Sequence, residues 1–198
     1  MYGSDVPRRN RVTPFSELIA DPARGLVYGN RGCLHNARGE IVRHHQVQRW
    51  IACVLEFKDR RHEIMRPGHY TELFFLDEAT AFAAGHRPCA ECRRPDYKRY
   101  MEIAGATRAD EIDARLAGER ERRWTAPFAD LPDGTIVADG GAAWLVARGA
   151  LLRWTPAGYT ERRALPVGEA TVLTPPTSVA VLRAGWAGLV PLLHPTAE

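Results

Sequence analysis

A Cys-x-x-Cys pair, standing at the end of a strand-like and then helix-like run, limits what this chain can become more than any other feature. The run is residues 71–94, TELFFLDEATAFAAGHRPCAECRR. Leu73, Phe74, Phe75 and Leu76 form an apolar stretch too short for a helix and rich in aromatics, which predicts a buried strand. Asp77 is a favourable N-cap; Ala79, Phe82 and Ala83 share one face at helical spacing, and Gly85 with Pro88 supplies a stop. After Cys89, Ala90, Glu91 and Cys92, Pro95 opens a second helix with Tyr97, Tyr100, Met101 and Ala104 on one face and Gly105 at its end.

Two chemistries compete for such a pair. A thioredoxin-like redox pair has a strand running straight into its cysteines, whereas here a whole helix stands between them. Two thiolates at this spacing can instead face one tetrahedral metal about 2.3 Å away, and Arg87, Arg93, Arg94 and a helix N-terminus beside Cys92 favour the ionised thiolate. Zinc is the expected cofactor.

The run from Phe74 through Arg93 also resembles the second half of the Ada-type zinc-binding domain, which occurs in bacterial DNA-alkylation repair proteins and in related modules attached to nucleases and other DNA-acting proteins. The resemblance rests on Ala83-Ala84-Gly85-His86-Arg87-Pro88-Cys89-Ala90-Glu91-Cys92 and, upstream, on Val27-Tyr28-Gly29-Asn30-Arg31-Gly32-Cys33, similar to the strand that delivers that family's first cysteine. It covers roughly residues 26–94. It implies a zinc site in which Cys33 joins Cys89 and Cys92, and a DNA partner. The family's second cysteine follows four residues after its first, and Ala37 stands there in this chain. The fourth ligand is therefore open between Cys53, which is favoured and makes an all-cysteine set, and His35, which joins one histidine to the cysteines; zinc accepts both. The missing cysteine also removes the local pair that frames the family's methyl-accepting thiolate, so a closed structural zinc site is expected ahead of methyl transfer. His86 is expected to pack or to donate a hydrogen bond behind the ligands.

Composition sets wider bounds. The chain has 198 residues, 45% hydrophobic and 26% charged, an ordinary composition for a soluble protein able to bury a core. Four cysteines are too few for a disulfide scaffold, and neither a membrane-spanning apolar run nor a secretory signal is visible, so a cytoplasmic location is expected. The net charge of +3 is uneven, since residues 1–100 carry 17 Lys+Arg against 12 Asp+Glu. Candidate phosphate-contacting side chains in that half are Arg43, Arg49, Arg60, Arg61, Arg87, Arg93 and Arg94. No P-loop, GxGxxG, GxSxG or HExxH motif is present.

Along the chain, residues 1–13 read as a polar arm, residues 14–20 as one or two helical turns, residues 26–28 as a short strand, and residues 50–57 as a strand with Ile51, Cys53, Leu55 and Phe57 on one face. Residues 109–123 form a charged amphipathic helix. Beyond Pro127, short apolar runs at 135–137, 143–146, 151–154 and 170–173 alternate with Gly- and Pro-bearing turns, followed by a short helix at 178–183. The expected fold is α+β: a small antiparallel sheet with a Cys-rich zinc knuckle and two helices over residues 1–105, a helical connector over 106–126, and a small β-rich part over 127–198. The expected function is a zinc-stabilised nucleic-acid-binding protein, with DNA ahead of RNA as partner and a role in repair or regulation. The alternatives are an enzyme acting on nucleic acid or nucleotides with zinc as scaffold, and an adaptor that binds a protein partner through the β-rich part.

Overall fold

The structure is a computed structural model and describes residues 6–58, 63–120 and 122–198. It is α+β, with two six-stranded sheets and four helices among the described residues. The first sheet contains β1 (Arg9–Val12), β2 (Leu18–Ala20), β3 (Val27–Asn30), β4 (Ile51–Cys53), β5 (Leu73–Phe75) and β6 (Arg87–Pro88), in the order β2-β1-β5-β3-β4-β6. It is mixed rather than purely antiparallel: β1 runs parallel to β5 and β4 parallel to β6.

The β1–β2 hairpin, Arg9 to Ala20, replaces the polar arm and helical turns expected there, and residues 1–5 of the expected arm lie outside the described residues. Its arginines are the reason the sequence reads as an arm. Arg9 Nε donates to the Leu18 carbonyl and Arg11 Nε to that of Ala23, while the Arg11 guanidinium lies 5.0 Å from the Phe74 ring centre. These side chains brace the hairpin from outside, and Asn10 and Val12 turn inward.

Helix α1 (Glu78–Ala83) follows β5 directly, with the Asp77 side chain capping it through the Thr80 amide as expected. All six of its residues are buried. Next come α2 (Arg94–Ile103) and α3 (Ala109–Arg120). The second sheet contains β7 (Trp124–Pro127), β8 (Ile136–Asp139), β9 (Ala142–Ala147), β10 (Ala150–Thr155), β11 (Gly158–Ala164) and β12 (Glu169–Val172). It is antiparallel throughout, in the order β11-β10-β9-β8-β12-β7. Its two edge strands, β7 and β11, carry too few apolar residues to be read as strands; β11 exposes Thr160, Glu161 and Arg162 in succession. Helix α4 (Pro176–Arg183) follows β12. Among the described residues, no helix is long and apolar enough to cross a membrane.

The two sheets meet on α1. Leu76, Ala79 and Ala83 pack with Ile136, Leu145 and Leu152 of the second sheet. Ala81 and Ala84 pack with Val27, Leu73 and Phe75 of the first, and Phe82 packs with Tyr100, Ile112, Val181 and Trp186. Polar groups follow the same convergence. The fully buried Asp77 carboxylate accepts from the Thr80 amide (2.9 Å) and hydroxyl (2.7 Å), the Tyr159 hydroxyl (2.8 Å) and the His194 amide (2.9 Å). One side chain thus caps α1 and holds both β11 and the C-terminal segment.

Removing a buried acceptor leaves its donors unsatisfied, which costs more than the hydrogen bonds themselves contribute. Asp77→Ala is therefore expected to destabilise the fold by about 4 kcal/mol in urea denaturation, and Tyr159→Phe, which removes one donor, by only about 1–2 kcal/mol. Equal losses in the two variants would contradict this account.

Candidate metal centre

Cys53, Cys89 and Cys92 come together. Their sulfur atoms lie within 4.8 Å of one another, against about 3.8 Å for thiolates sharing a tetrahedral zinc at 2.3 Å. Each is delivered by a different piece of backbone. Cys53 ends β4. Cys89 directly follows β6, where its amide donates to the Ala52 carbonyl (2.9 Å) and continues the parallel pairing of β4 with β6. Cys92 lies in the turn that leads into α2. The close fit of β4 depends on Gly29 in β3, because a Cβ there would stand 2.2 Å from the Ile51 carbonyl oxygen.

The three thiols also act on one another. Hydrogen bonds from the Cys53 and Cys92 thiols, with the Glu91 and Cys92 amides behind them, pull Cys89 far below the ordinary thiol range, and the donating, buried Cys53 is pushed far above it. Three clustered thiols are a set a metal cation can enter by displacing their protons. The cluster can therefore hold a metal ion.

The knuckle is fixed by arginines. Arg93, the residue after Cys92, has no solvent exposure and places Nη2 2.5 Å from Glu78 of α1 and 2.6 Å from Asp96 of α2. Trp186 Nε1 donates to Glu78 (2.8 Å) and the Leu189 amide to Asp96 (2.9 Å), so the C-terminal segment covers this ion pair. Burial pushes the Glu78 carboxyl up to about 7 against the pull of Arg93. A side chain at Gly188 would collide with Arg93, its Cβ lying 2.7 Å from Nη2. Arg87, two residues before Cys89, grips Asp113 of α3 with two parallel bonds of 2.8 Å and lies 5.1 Å from the Tyr97 ring centre.

These placements correct part of the sequence reading. Arg87 and Arg93 do not face solvent as phosphate contacts; they are buried and spend their charge on carboxylates. Arg43, Arg49 and Arg94 are exposed, while Arg60 and Arg61 lie outside the described residues. Cys33 is not part of the thiol group, and its Sγ points back to the His35 carbonyl at 3.5 Å. His35 has both ring nitrogens committed. Nε2 lies 3.1 Å from the Arg66 carbonyl, which can only accept, so Nε2 carries the proton and Nδ1 accepts from the Thr71 hydroxyl at 2.7 Å. The Gly-rich turn after β3 carries Cys33 and His35 away from the knuckle, whereas β4, hydrogen-bonded to both β3 and β6, carries Cys53 into it. His86 packs between Phe75 and Trp50, with Nε2 accepting from Arg31 Nε at 3.2 Å.

All three cysteines line one cavity of about 380 Å³, together with Tyr28, Tyr70, Glu72, Phe74 and Glu91 among others. Sequence reasoning missed this cavity, whose walls come from separated segments of the chain. Comparison with models of known protein families, with curated proteins and with solved structures finds no match to this chain.

The ligand assignment gives a direct test. Elemental analysis of protein purified without chelator is expected to find metal lost in Cys53→Ala and Cys89→Ser, and kept at full stoichiometry in Cys33→Ala and His35→Ala. Loss in Cys33→Ala would move the site.

Proposed function

We propose that the protein is a zinc-stabilised nucleic-acid-binding protein, with double-stranded DNA as its first partner. Zinc is the metal of choice because three clustered thiolates are soft ligands in a tetrahedral-compatible arrangement. Bound at Cys53, Cys89 and Cys92, it would cross-link β4 to the turn that starts α2 and supply folding free energy there.

The observation that carries the nucleic-acid reading is the segment between β3 and β4. Residues 41–50, IVRHHQVQRW, contain no acidic residue and expose Arg43, His44, His45, Gln46, Gln48 and Arg49 in one stretch. Behind it, Arg120 and Arg123 line a cavity that His44, His45 and Gln48 also line. A cationic surface of this kind binds the phosphate backbone by releasing counterions and without reading sequence.

Fluorescence-polarisation titration of duplex DNA should show binding at about 50 mM salt that weakens steeply by about 200 mM. Arg43→Ala combined with Arg49→Ala should weaken binding to all sequences alike and reduce the salt slope by about 2. If the wild-type protein does not bind at the lower salt, the reading falls.

A second reading is favoured by the cavity beside the thiol triad. Metal centres that act on substrates keep a ligand position open, and among the described residues no fourth His, Cys, Asp or Glu belongs to the group. Cobalt-substituted protein should then change its visible spectrum when imidazole is added. An unresponsive spectrum leaves the metal a structural cross-link only.

A further inference from the structure

Three arginines are wholly or almost wholly buried among the described residues, and one of them differs from the others. Arg87 and Arg93 face carboxylates. Arg31, with no solvent exposure, has no carboxylate partner among the described residues. Its Nε donates to His86 Nε2 (3.2 Å), its Nη1 to the Ser16 carbonyl (3.0 Å), and its Nη2 has no hydrogen-bond partner. Its guanidinium and that of Arg120 each lie 4.0 Å from the Trp50 ring centre. A buried guanidinium without an anion is among the least favourable arrangements a fold can hold. The aromatic face offsets only a small part of that penalty.

The surroundings are incomplete in the same sense. His44 Nε2 lies 2.7 Å from the Ser16 carbonyl and 2.9 Å from Arg31 Nη1. A ring nitrogen that donates to the carbonyl cannot also accept from the guanidinium, so one of these contacts is always unmet. Ser16 holds a positive φ of 72°, unusual for a residue with a side chain, and its buried hydroxyl has no partner. Ser16, His44, His45, Trp50, Arg120 and Arg123 all line one cavity of about 400 Å³, and no Asp or Glu does among the described residues. Arg31 lies directly behind the Ser16–His44–Trp50 wall.

We infer that this cavity is a phosphate-binding site, in which Ser16 Oγ and Arg123 hold the oxyanion at the wall and Arg31 supplies the buried counter-charge. A tetrahedral dianion matches the site in three ways. It brings the negative charge that Arg31 lacks. It offers acceptors in several directions to donors that now have none. It also takes His44's place on the guanidinium, which leaves that ring free to keep the Ser16 carbonyl. The cavity is larger than a phosphate alone, so the group is a phosphate monoester carried on a larger molecule: a small sugar or nucleoside phosphate, or the terminal phosphate of a nucleic-acid strand. The site adjoins the proposed nucleic-acid surface and rests on that reading only in sharing His44, His45 and Gln48 with it; the exposed arginines at 43 and 49, which do not line the cavity, would bind internal phosphodiesters whether or not it is filled.

Inorganic phosphate is the probe, added to the full-length protein in a low-salt, phosphate-free buffer and followed by calorimetry and thermal unfolding. Saturable binding and a concentration-dependent rise in Tm are expected. Ser16→Gly relieves the positive φ, so it should fold at least as well as the wild type while binding phosphate roughly tenfold or more weakly, as loss of a hydroxyl bond to a charged group implies. Arg31→Met should abolish the rise in Tm. Absence of phosphate binding to the wild type, or unchanged binding in well-folded Ser16→Gly, overturns the inference. A duplex bearing a 5′-phosphate that binds more tightly than its unphosphorylated twin, with the difference lost in Ser16→Gly, assigns the site to strand ends. Saturable phosphate binding with equal affinity for the two duplexes supports the same site and assigns it to small phosphate esters. Loss of duplex binding in the Arg43/Arg49 double variant, with phosphate binding kept, separates this site from the nucleic-acid surface.

Discussion

Burying a complete short helix between two sheets leaves its N-terminus without water, and the Asp77 carboxylate, with the Pro191 and Leu192 carbonyls that take the Glu78 and Ala79 amides, makes that burial tolerable. An α-helix start exposes amides that have no partner within the helix. Asp77 serves the Thr80 amide, but its second oxygen is used elsewhere, by the Tyr159 hydroxyl and the His194 amide. Burial pushes this carboxyl up even though four donors pull it down. Thr80 extends the arrangement by accepting from Trp154 Nε1 (3.0 Å) while donating to Asp77. The position of the second sheet is thus set by polar groups on α1, and apolar packing against Leu76, Ala79 and Ala83 fills in around them.

That junction also positions the thiol group. Glu78 is the first residue of α1 and the partner of Arg93, so the helix held by Asp77 in turn holds the residue next to Cys92. Arg87 does the same from the other side of Cys89 by gripping Asp113 of α3. The knuckle is therefore anchored by buried arginine–carboxylate pairs to α1 and α2 through Arg93 and to α3 through Arg87. Breaking either anchor would leave an uncompensated buried charge, which is strongly unfavourable, whatever the anchor contributes when intact.

The parts of this arrangement that were legible in the sequence are those with a local physical signature. Asp77 as a cap, the helix after it, the Cys-x-x-Cys turn and the apolar centres of β8, β9, β10 and β12 all depend on residues near one another in the chain. What the sequence concealed depends on contacts across it. The β1–β2 hairpin is polar because Arg9 and Arg11 bond to carbonyls of neighbouring backbone. The edge strand β11 is charged because only part of it is covered. Cys53 looked like a core residue because it is one: its neighbours in β4 are apolar, and the strand's end lies beside β6. Cys33, by contrast, stood after a strand and a turn in the expected way, but that turn leads outward.

The arginines carry the most general lesson. Beside a Cys-x-x-Cys knuckle, Arg87, Arg93 and Arg94 make a run that reads as a phosphate-binding patch, and nothing local distinguishes a surface arginine from one destined for the core. What distinguishes them is the distant carboxylate: Asp113 for Arg87, and Glu78 for Arg93. Once these two are paired, their charge is no longer available to a ligand, and the basic excess of the first half must be recounted. Arg31 then becomes the informative residue, because it sits as deep as the other two yet faces His86, His44 and a carbonyl in place of a carboxylate. Burial lowers the pKa of His86 and of His44, so both rings are held neutral and neither adds to nor relieves the charge. The fold supplies counter-charge for two buried guanidiniums and omits it for the third, at the one position that backs onto a cavity without acidic walls among the described residues.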